Sequence, residues 1–394
     1  MTNAKRSFLI PALTLLSIMT ITPCGAFADE SDDSAEGVHV PSLIAQSNGM
    51  ERRFIYQNLI VDEKDLTDYL SEILEKLASP DERRRYKLRV RVLRSNEFNA
   101  FAAPNGTVFI CTGLLSRTVN ETQVAAVLAH ELGHIVLEHT EKNLLEMKRR
   151  ARALVLEESR RNPEALLLDE SRRNPEALLL SDGIAGTIMG DAMRAAVAGY
   201  TERIEREADS VALVRMAGAG YEPPADFREF IDSIRGDGAE YADNQDIRNS
   251  RAYGGGNAGE DEIERGYFNV KLGGVILYEV VMNHAAGRTD IVERLLDRLL
   301  AVDSCDVAAL IRRGDMERQL SPRSDAAIEW YERALKCSPG NPAVLRALGF
   351  AYHSIGRADM ALKYLRRYCE TATGAPDIKM ARELLRQCEG RKGK

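Results

Sequence analysis

Asn120-Glu-Thr-Gln-Val-Ala-Ala-Val-Leu-Ala-His-Glu-Leu-Gly-His-Ile-Val136 decides how this chain folds around its chemistry. Asn120 with Gln123 three residues on is a helix N-cap signature, and Val124, Val127, Leu128, Ile135 and Val136 recur at helical spacing. The stretch therefore predicts a helix with H-E-x-x-H in its middle. Four residues advance a helix by about 400°, so His130 and His134 leave one face roughly 40° apart, within reach of one metal ion. Glu131 lies about 100° round, beside that ion but not a ligand. Gly133 is disfavoured inside a helix, which predicts another backbone passing close to it.

Two histidines leave a catalytic zinc site short of a third protein ligand and an open position for water. Glu205-Arg-Glu-Ala-Asp209 lies downstream in a helical run, with Glu205 and Asp209 on one face at i,i+4 spacing. Glu205 can complete a His2Glu set, and Asp209 can hold a ligand histidine in one tautomer by accepting its other ring N–H. Glu207 turns to the opposite side and is expected in solvent. His139, five residues past His134, is expected to face elsewhere, and His39, His284 and His353 carry no motif.

Working outward, Val61 to Ser79 has an apolar helical stripe of Leu66, Tyr69, Leu70, Ile73, Leu74 and Leu77. Lys87 to Arg94 alternates as a half-buried strand, and Thr107 to Thr112 forms a second strand after the turn signal Pro104-Asn-Gly106. This order predicts an α+β catalytic-type domain, mostly helical with a small sheet, over residues 51–235. Within it Glu158 to Leu168 returns unchanged at Glu170 to Leu180, a tandem insertion expected to lie at the periphery. Residues 236–268, with Gly254-Gly-Gly256, are expected to be a linker or lid loop. From residue 269 to 390 the pattern becomes helical pairs about 34 residues apart, an all-α tetratricopeptide-repeat domain. Its last full unit carries Leu345, Leu348, Gly349, Tyr352, Gly356, Ala361 and Leu365; Ala327, Tyr331, Ala334 and Pro339 belong to the preceding one. Gly287, Val292, Leu296 and Leu299 fit a weaker first unit, and Asp377 to Cys388 a terminal cap.

Residues 1–28 have the parts of a secretory signal: Lys5 and Arg6, an apolar run from Phe8 to Ile21, and Ala26-Phe-Ala28 before the cleavage point. Export to the periplasm is expected, with residues 29–50 as a flexible lead-in and no membrane span once the signal is removed. Of the cysteines beyond the signal, Cys305, Cys337, Cys369 and Cys388 fall near the C-terminus. They fit either a disulfide or small apolar residues packed between helices. Across all 394 residues, 44% are hydrophobic and 29% charged, which excludes a disordered chain. A net charge of -7 lacks the basic footprint of a nucleic-acid binder and favours polypeptide or small-molecule partners.

Asn99-Ala-Phe-Ala102, Gly113-Leu-Leu115, His130-Glu-Leu-Gly-His134 and Glu205-Arg-Glu-Ala-Asp209 together resemble the HtpX-like zinc metallopeptidases, which include the CAAX prenyl endopeptidases. The resemblance covers most of residues 50 to 215. With export and C-terminal repeats the chain is similar to the periplasmic BepA-like branch, linked to outer-membrane protein assembly and quality control. The resemblance implies a zincin-type fold and one Zn2+ on His130, His134 and Glu205, with Glu131 as catalytic acid/base and Asp209 behind a ligand histidine. It also implies a sheet edge at Asn99, Ala100, Phe101 and Ala102 along which substrate aligns. That branch often carries His-Pro-x-x-x-Arg after the third ligand, whereas residues 210 to 265 contain no histidine. The expected function is an exported zinc endopeptidase acting on unfolded or misassembled proteins, with the repeats binding a protein partner such as outer-membrane assembly machinery. The alternative is a periplasmic assembly chaperone acting through its repeats, with a latent or gated zinc site.

Overall fold

The computed structural model describes residues 40–142, 201–224, 226–235, 258–322 and 325–392. The signal segment, the duplicated insertion and the Gly254-Gly-Gly256 stretch lie outside the described residues.

Among the described residues the sheet has three strands: β1 (Arg89–Leu93), β2 (Ala100–Ala102) and β3 (Thr107–Cys111), in the order β1-β3-β2. β1 runs parallel to β3 with Arg89 opposite Thr107, and β2 runs antiparallel to it with Phe101 opposite Phe109. Strand alternation sorts the two faces. Val90, Val92, Ala100, Ala102, Val108 and Ile110 join the main core, while Leu93, Phe101, Phe109 and Cys111 form a second cluster.

Two helices cover these faces. On the main-core side lies α2 (Lys64–Leu77), whose buried residues are Leu66, Tyr69, Leu70, Ile73, Leu74 and Leu77, the stripe read from the sequence. Complete burial of each such side chain contributes about 1.5–3 kcal/mol. On the other side lies α1 (Val40–Tyr56), with Phe54 edge-on to Phe109 at 5.6 Å. The expected flexible lead-in is thus helical from Val40 onward. Leu43, Ser47 and Glu51, at i, i+4 and i+8, are all buried. Two of those positions are polar, so the stripe has no hydrophobic signature. Glu51 accepts from Arg91 Nε at 2.8 Å and from Arg89 Nη2 at 2.5 Å, and these bonds offset the effect of burial and hold its carboxyl below the ordinary range.

Past the short α3 (Pro80–Arg85) and α4 (Thr112–Arg117) come α5 (Glu121–Val136), α6 (Glu202–Gly218) and α7 (Phe227–Arg235). Next is the 28-residue α8 (Ala258–Ala285), so residues 258–268, expected to belong to a loop, are helical. Its Phe268, Leu272, Val275, Ile276 and Val280 are buried in the same core as α2 and α5.

The remaining helices among the described residues are α9 (Thr289–Val302), α10 (Val307–Leu320), α11 (Ala326–Cys337), α12 (Pro342–Ser354), α13 (Ala358–Thr371) and α14 (Ile378–Lys392). Small residues let paired helices meet: a Cβ on Gly314 would lie 2.4 Å from the Tyr331 ring, and one on Gly349 would lie 2.7 Å from Leu365 Cδ2. Gly287 and Gly356 sit at φ +73° and +82° in corresponding inter-helix turns, where the left-handed conformation favours glycine. A disulfide joins Cys305 to Cys337 across one unit, with Cα atoms 5.5 Å apart, while Cys369 and Cys388 remain thiols. No helix among the described residues is long and apolar enough to cross a membrane.

Candidate metal centre

The centre rests on α5. Asn120 Oδ1 accepts from the Gln123 backbone N–H at 2.9 Å, and Gln123 Oε1 accepts from Val119 N–H at 2.9 Å. Both contacts satisfy donors that a helix start would otherwise leave unpaired. Every residue from Gln123 to Ile135 is buried. His130, Glu131 and His134 are therefore held in a packed interior, at 0%, 2% and 1% exposure.

α6 crosses α5 at Gly133. A Cβ there would lie 2.7 Å from the Ala208 carbonyl oxygen and 2.9 Å from its Cα, so the close backbone expected from a mid-helix glycine belongs to α6. That contact also sets the position of the two neighbouring carboxylates. Glu205 Oε2 lies 3.2 Å from His130 Nε2, and Glu205 Oε1 lies 4.0 Å from His134 Nε2. The two Nε2 atoms are 3.1 Å apart, and one donor atom from each of the three residues falls within 4.8 Å of the others.

These donors fit zinc. Ligands at 2.0–2.1 Å in tetrahedral array stand about 3.3 Å apart, close to the 3.1 and 3.2 Å spacings around His130 Nε2. Two imidazoles and one carboxylate are the donor set of a catalytic zinc site with room for a fourth ligand. Asp209 Oδ1 lies 2.9 Å from His130 Nδ1. Donation from Nδ1–H to Asp209 leaves the Nε2 lone pair of His130 directed at the other donors.

Three residues are placed against or beyond expectation. Arg228, on α7, donates from Nε to Asp209 Oδ2 at 2.7 Å and from Nη1 to Glu205 Oε2 at 3.2 Å. Burial works against its charge, but the two carboxylates more than offset that and raise its pKa. No sequence signal singles it out, because α6 and α7 meet only in the tertiary fold.

His139 corrects the reading that it faces away from the site, and Glu207, more than a third exposed and so solvated as expected, meets it there. His139 is 4% exposed, with Nδ1 3.1 Å from His134 Nδ1 and Nε2 3.3 Å from Glu207 Oε2. The cause is local. α5 stops at Leu137, whose N–H bonds to Gly133 O, and Glu138 takes φ +56° before residues 139 to 142 become helical again. That turn sends His139 back over His134. Left-handed helix ends are usually marked by Gly or Asn, so a glutamate gives no warning of one. Burial pushes the His139 imidazole below its ordinary range, with Glu207 pulling partly the other way, while the bond from His139 lowers the Glu207 carboxyl.

At the expected substrate edge, β2 is one of the two outer strands of the sheet, but Ala100, Phe101 and Ala102 are all buried. The Phe101 ring stacks on Phe109 at 5.0 Å, beneath α1. Asn99 is half-buried, and its carbonyl accepts from Cys111 N–H at 2.9 Å. Thr140 Oγ1 lies 3.5 Å from Ala102 O.

The chain carries a peptidase family M48 domain, matched over residues 62–243, and a TPR repeat, matched over residues 323–356. It thus resembles the BepA-like M48 peptidases that carry C-terminal TPRs. Among its relatives is the beta-barrel assembly-enhancing protease of Escherichia coli K12, 25% identical over 220 residues, which are 54% of this chain and 43% of the relative. The protein of the same name from Yersinia pestis is 26% identical over 160 residues, 41% of this chain and 31% of the relative. Bos taurus metalloendopeptidase OMA1, mitochondrial, is 46% identical over 50 residues, 13% of this chain and 10% of the relative. The chain spans less than half the length of each of these relatives.

Proposed function

We propose that the chain is an exported zinc-dependent endopeptidase that hydrolyses unfolded or misassembled polypeptides in outer-membrane protein quality control. The observation that carries this reading is the convergence of His130 Nε2, His134 Nε2 and a Glu205 carboxylate oxygen within 4.8 Å, with Glu131 buried on the same helix. The family M48 match supports the peptidase class, and the names of the bacterial relatives support the setting in β-barrel assembly. The Cys305–Cys337 disulfide supports export, because such bonds persist in oxidising compartments.

His130, His134 and Glu205 would hold the zinc. When bound there, zinc supplies the Lewis acidity that makes water a nucleophile near neutral pH and polarises a peptide carbonyl. Glu131 then takes the proton from the attacking water and delivers it to the departing amine, the two roles of one positioned carboxylate. Asp209 keeps the His130 proton on Nδ1, and Arg228 braces the Glu205 and Asp209 carboxylates from α7. Substrate in extended form aligns by its backbone along β2, while the repeats hold a protein partner from the assembly machinery.

The test is metal content together with cleavage of unfolded casein by the mature chain and its Glu131→Gln variant. One zinc per chain in both, with cleavage falling at least about 100-fold in the variant, is the expected outcome. Absence of zinc from the wild type would reject the ligand assignment, and equal cleavage by the two would reject Glu131 as the proton carrier.

A further inference from the structure

We propose that His139 and Glu207 form a hydrogen-bonded bridge that orients His134 for the metal, the counterpart on one imidazole of what Asp209 does on the other. The inference rests on the metal centre proposed above and deepens it.

Proton bookkeeping allows one arrangement. For Nε2 of His134 to present a lone pair beside His130 Nε2, the His134 proton must sit on Nδ1. Nδ1 faces His139 Nδ1 at 3.1 Å, so the latter must accept, which puts the His139 proton on Nε2. Nε2 in turn faces Glu207 Oε2 at 3.3 Å, an acceptor with no proton to give. Each nitrogen then has a partner of opposite role, and the chain ends on a carboxylate as the His130 side does on Asp209. The rings of His134 and His139 meet edge to face, with centroids 5.1 Å apart, so His139 also limits rotation of His134. Glu207 is itself held by Arg203, four residues earlier on α6.

One helix therefore serves both ligand histidines. Glu205, Glu207 and Asp209 all belong to α6: the first faces the metal position, the other two lie behind the imidazoles. Glu207 reaches a ligand on the opposite side of α6 only because the turn at Glu138 brings His139 across to meet it.

Outer partners of ligand histidines typically contribute 10–100-fold in metal affinity. The experiment is zinc affinity by competition with a chromophoric chelator, with the visible spectrum of the cobalt-substituted protein as a second readout. The mature full-length chain is used throughout. His139→Ala is expected to weaken zinc binding about 10–100-fold and to alter the cobalt bands. His139→Gln, whose amide can accept from His134 and donate to Glu207, is expected to restore most of the loss. Glu207→Ala, at a position more than a third exposed, tests the bridge without removing a buried ring; its loss should not add to that of His139→Ala in the double variant. Glu202→Gln removes a carboxylate on the same helix that pairs with Arg206, and should leave zinc binding unchanged. Wild-type affinity in both His139→Ala and Glu207→Ala, or an equal loss in Glu202→Gln, would overturn the bridge while leaving the metal centre standing. A wild type that binds no zinc would overturn both.

Discussion

Gly133 shows how one missing methyl group sets the geometry of the centre. Its Cα hydrogen faces the Ala208 backbone, and Glu205 and Asp209 sit three residues before and one after that contact point. Gly133→Ala would force α5 and α6 apart, since a Cβ at 2.7 Å from a carbonyl oxygen cannot be accommodated by rotating a side chain. Overpacking of this kind costs about 1–3 kcal/mol. The expected result is a lower melting temperature together with weaker zinc binding, read by calorimetry and chelator competition. A variant with wild-type values for both would show that α6 can retreat without disturbing its carboxylates. At this scale the sequence was most legible where geometry follows from one helix: His130 and His134 share a face as their spacing requires. It misled at His139, because a helical projection assumes that the helix continues.

Helix α5 has a start written in its sequence and an end that is not. Asn120 and Gln123 cap the first turn through two 2.9 Å bonds, and the motif begins more than two turns further in. Asn120→Ala is expected to lower stability by about 1 kcal/mol, as losses of N-caps do. Zinc binding should be unchanged, because the capped turn touches none of the donors. Denaturant titration checks the first and chelator competition the second, and no loss of stability would mean that the cap is replaced by solvent. The apolar stripe of α2 was legible for the same reason as the α5 start: both are local patterns. The stripe of α1 was not, since Ser47 and Glu51 are buried by bonding rather than by hydrophobicity.

Across the whole molecule, α8 ties the peptidase core to the repeats. Glu279, 1% exposed, accepts from Thr112 Oγ1 at 2.7 Å and from Asn283 Nδ2 at 3.1 Å. Thr112 Oγ1 in turn accepts from the backbone N–H of Ser95, in the loop that leads into β2. Burial raises the Glu279 carboxyl above its ordinary value of 4.5, only partly countered by Thr112 and Asn283. The folded protein thus holds this proton more tightly than the unfolded chain, so its contribution is fully present below pH 4.5 and is lost as pH rises through the folded pKa. Relative to Glu279→Gln, which has no such proton, the wild type should lose melting temperature steadily as pH rises from 4.5 toward neutrality. Parallel melting curves for the two proteins across that range would place the charge of Glu279 in a better solvated setting.

The sequence by itself determined the candidate ligand pair, the helix that carries it, the third-ligand candidate and the repeat period, because all of these are relations between residues a few positions apart. It also marked Gly133 as a place of close approach, since only a neighbouring backbone accounts for glycine there. Tertiary structure alone decided which backbone that is, that Arg228 reaches Glu205 and Asp209, and that His139 folds back between His134 and Glu207. It also decided that α8 shares its core with the peptidase domain. Those relations join helices far apart in the chain, and they depend on how packed elements cross and where a helix ends, neither of which leaves a periodic trace in sequence.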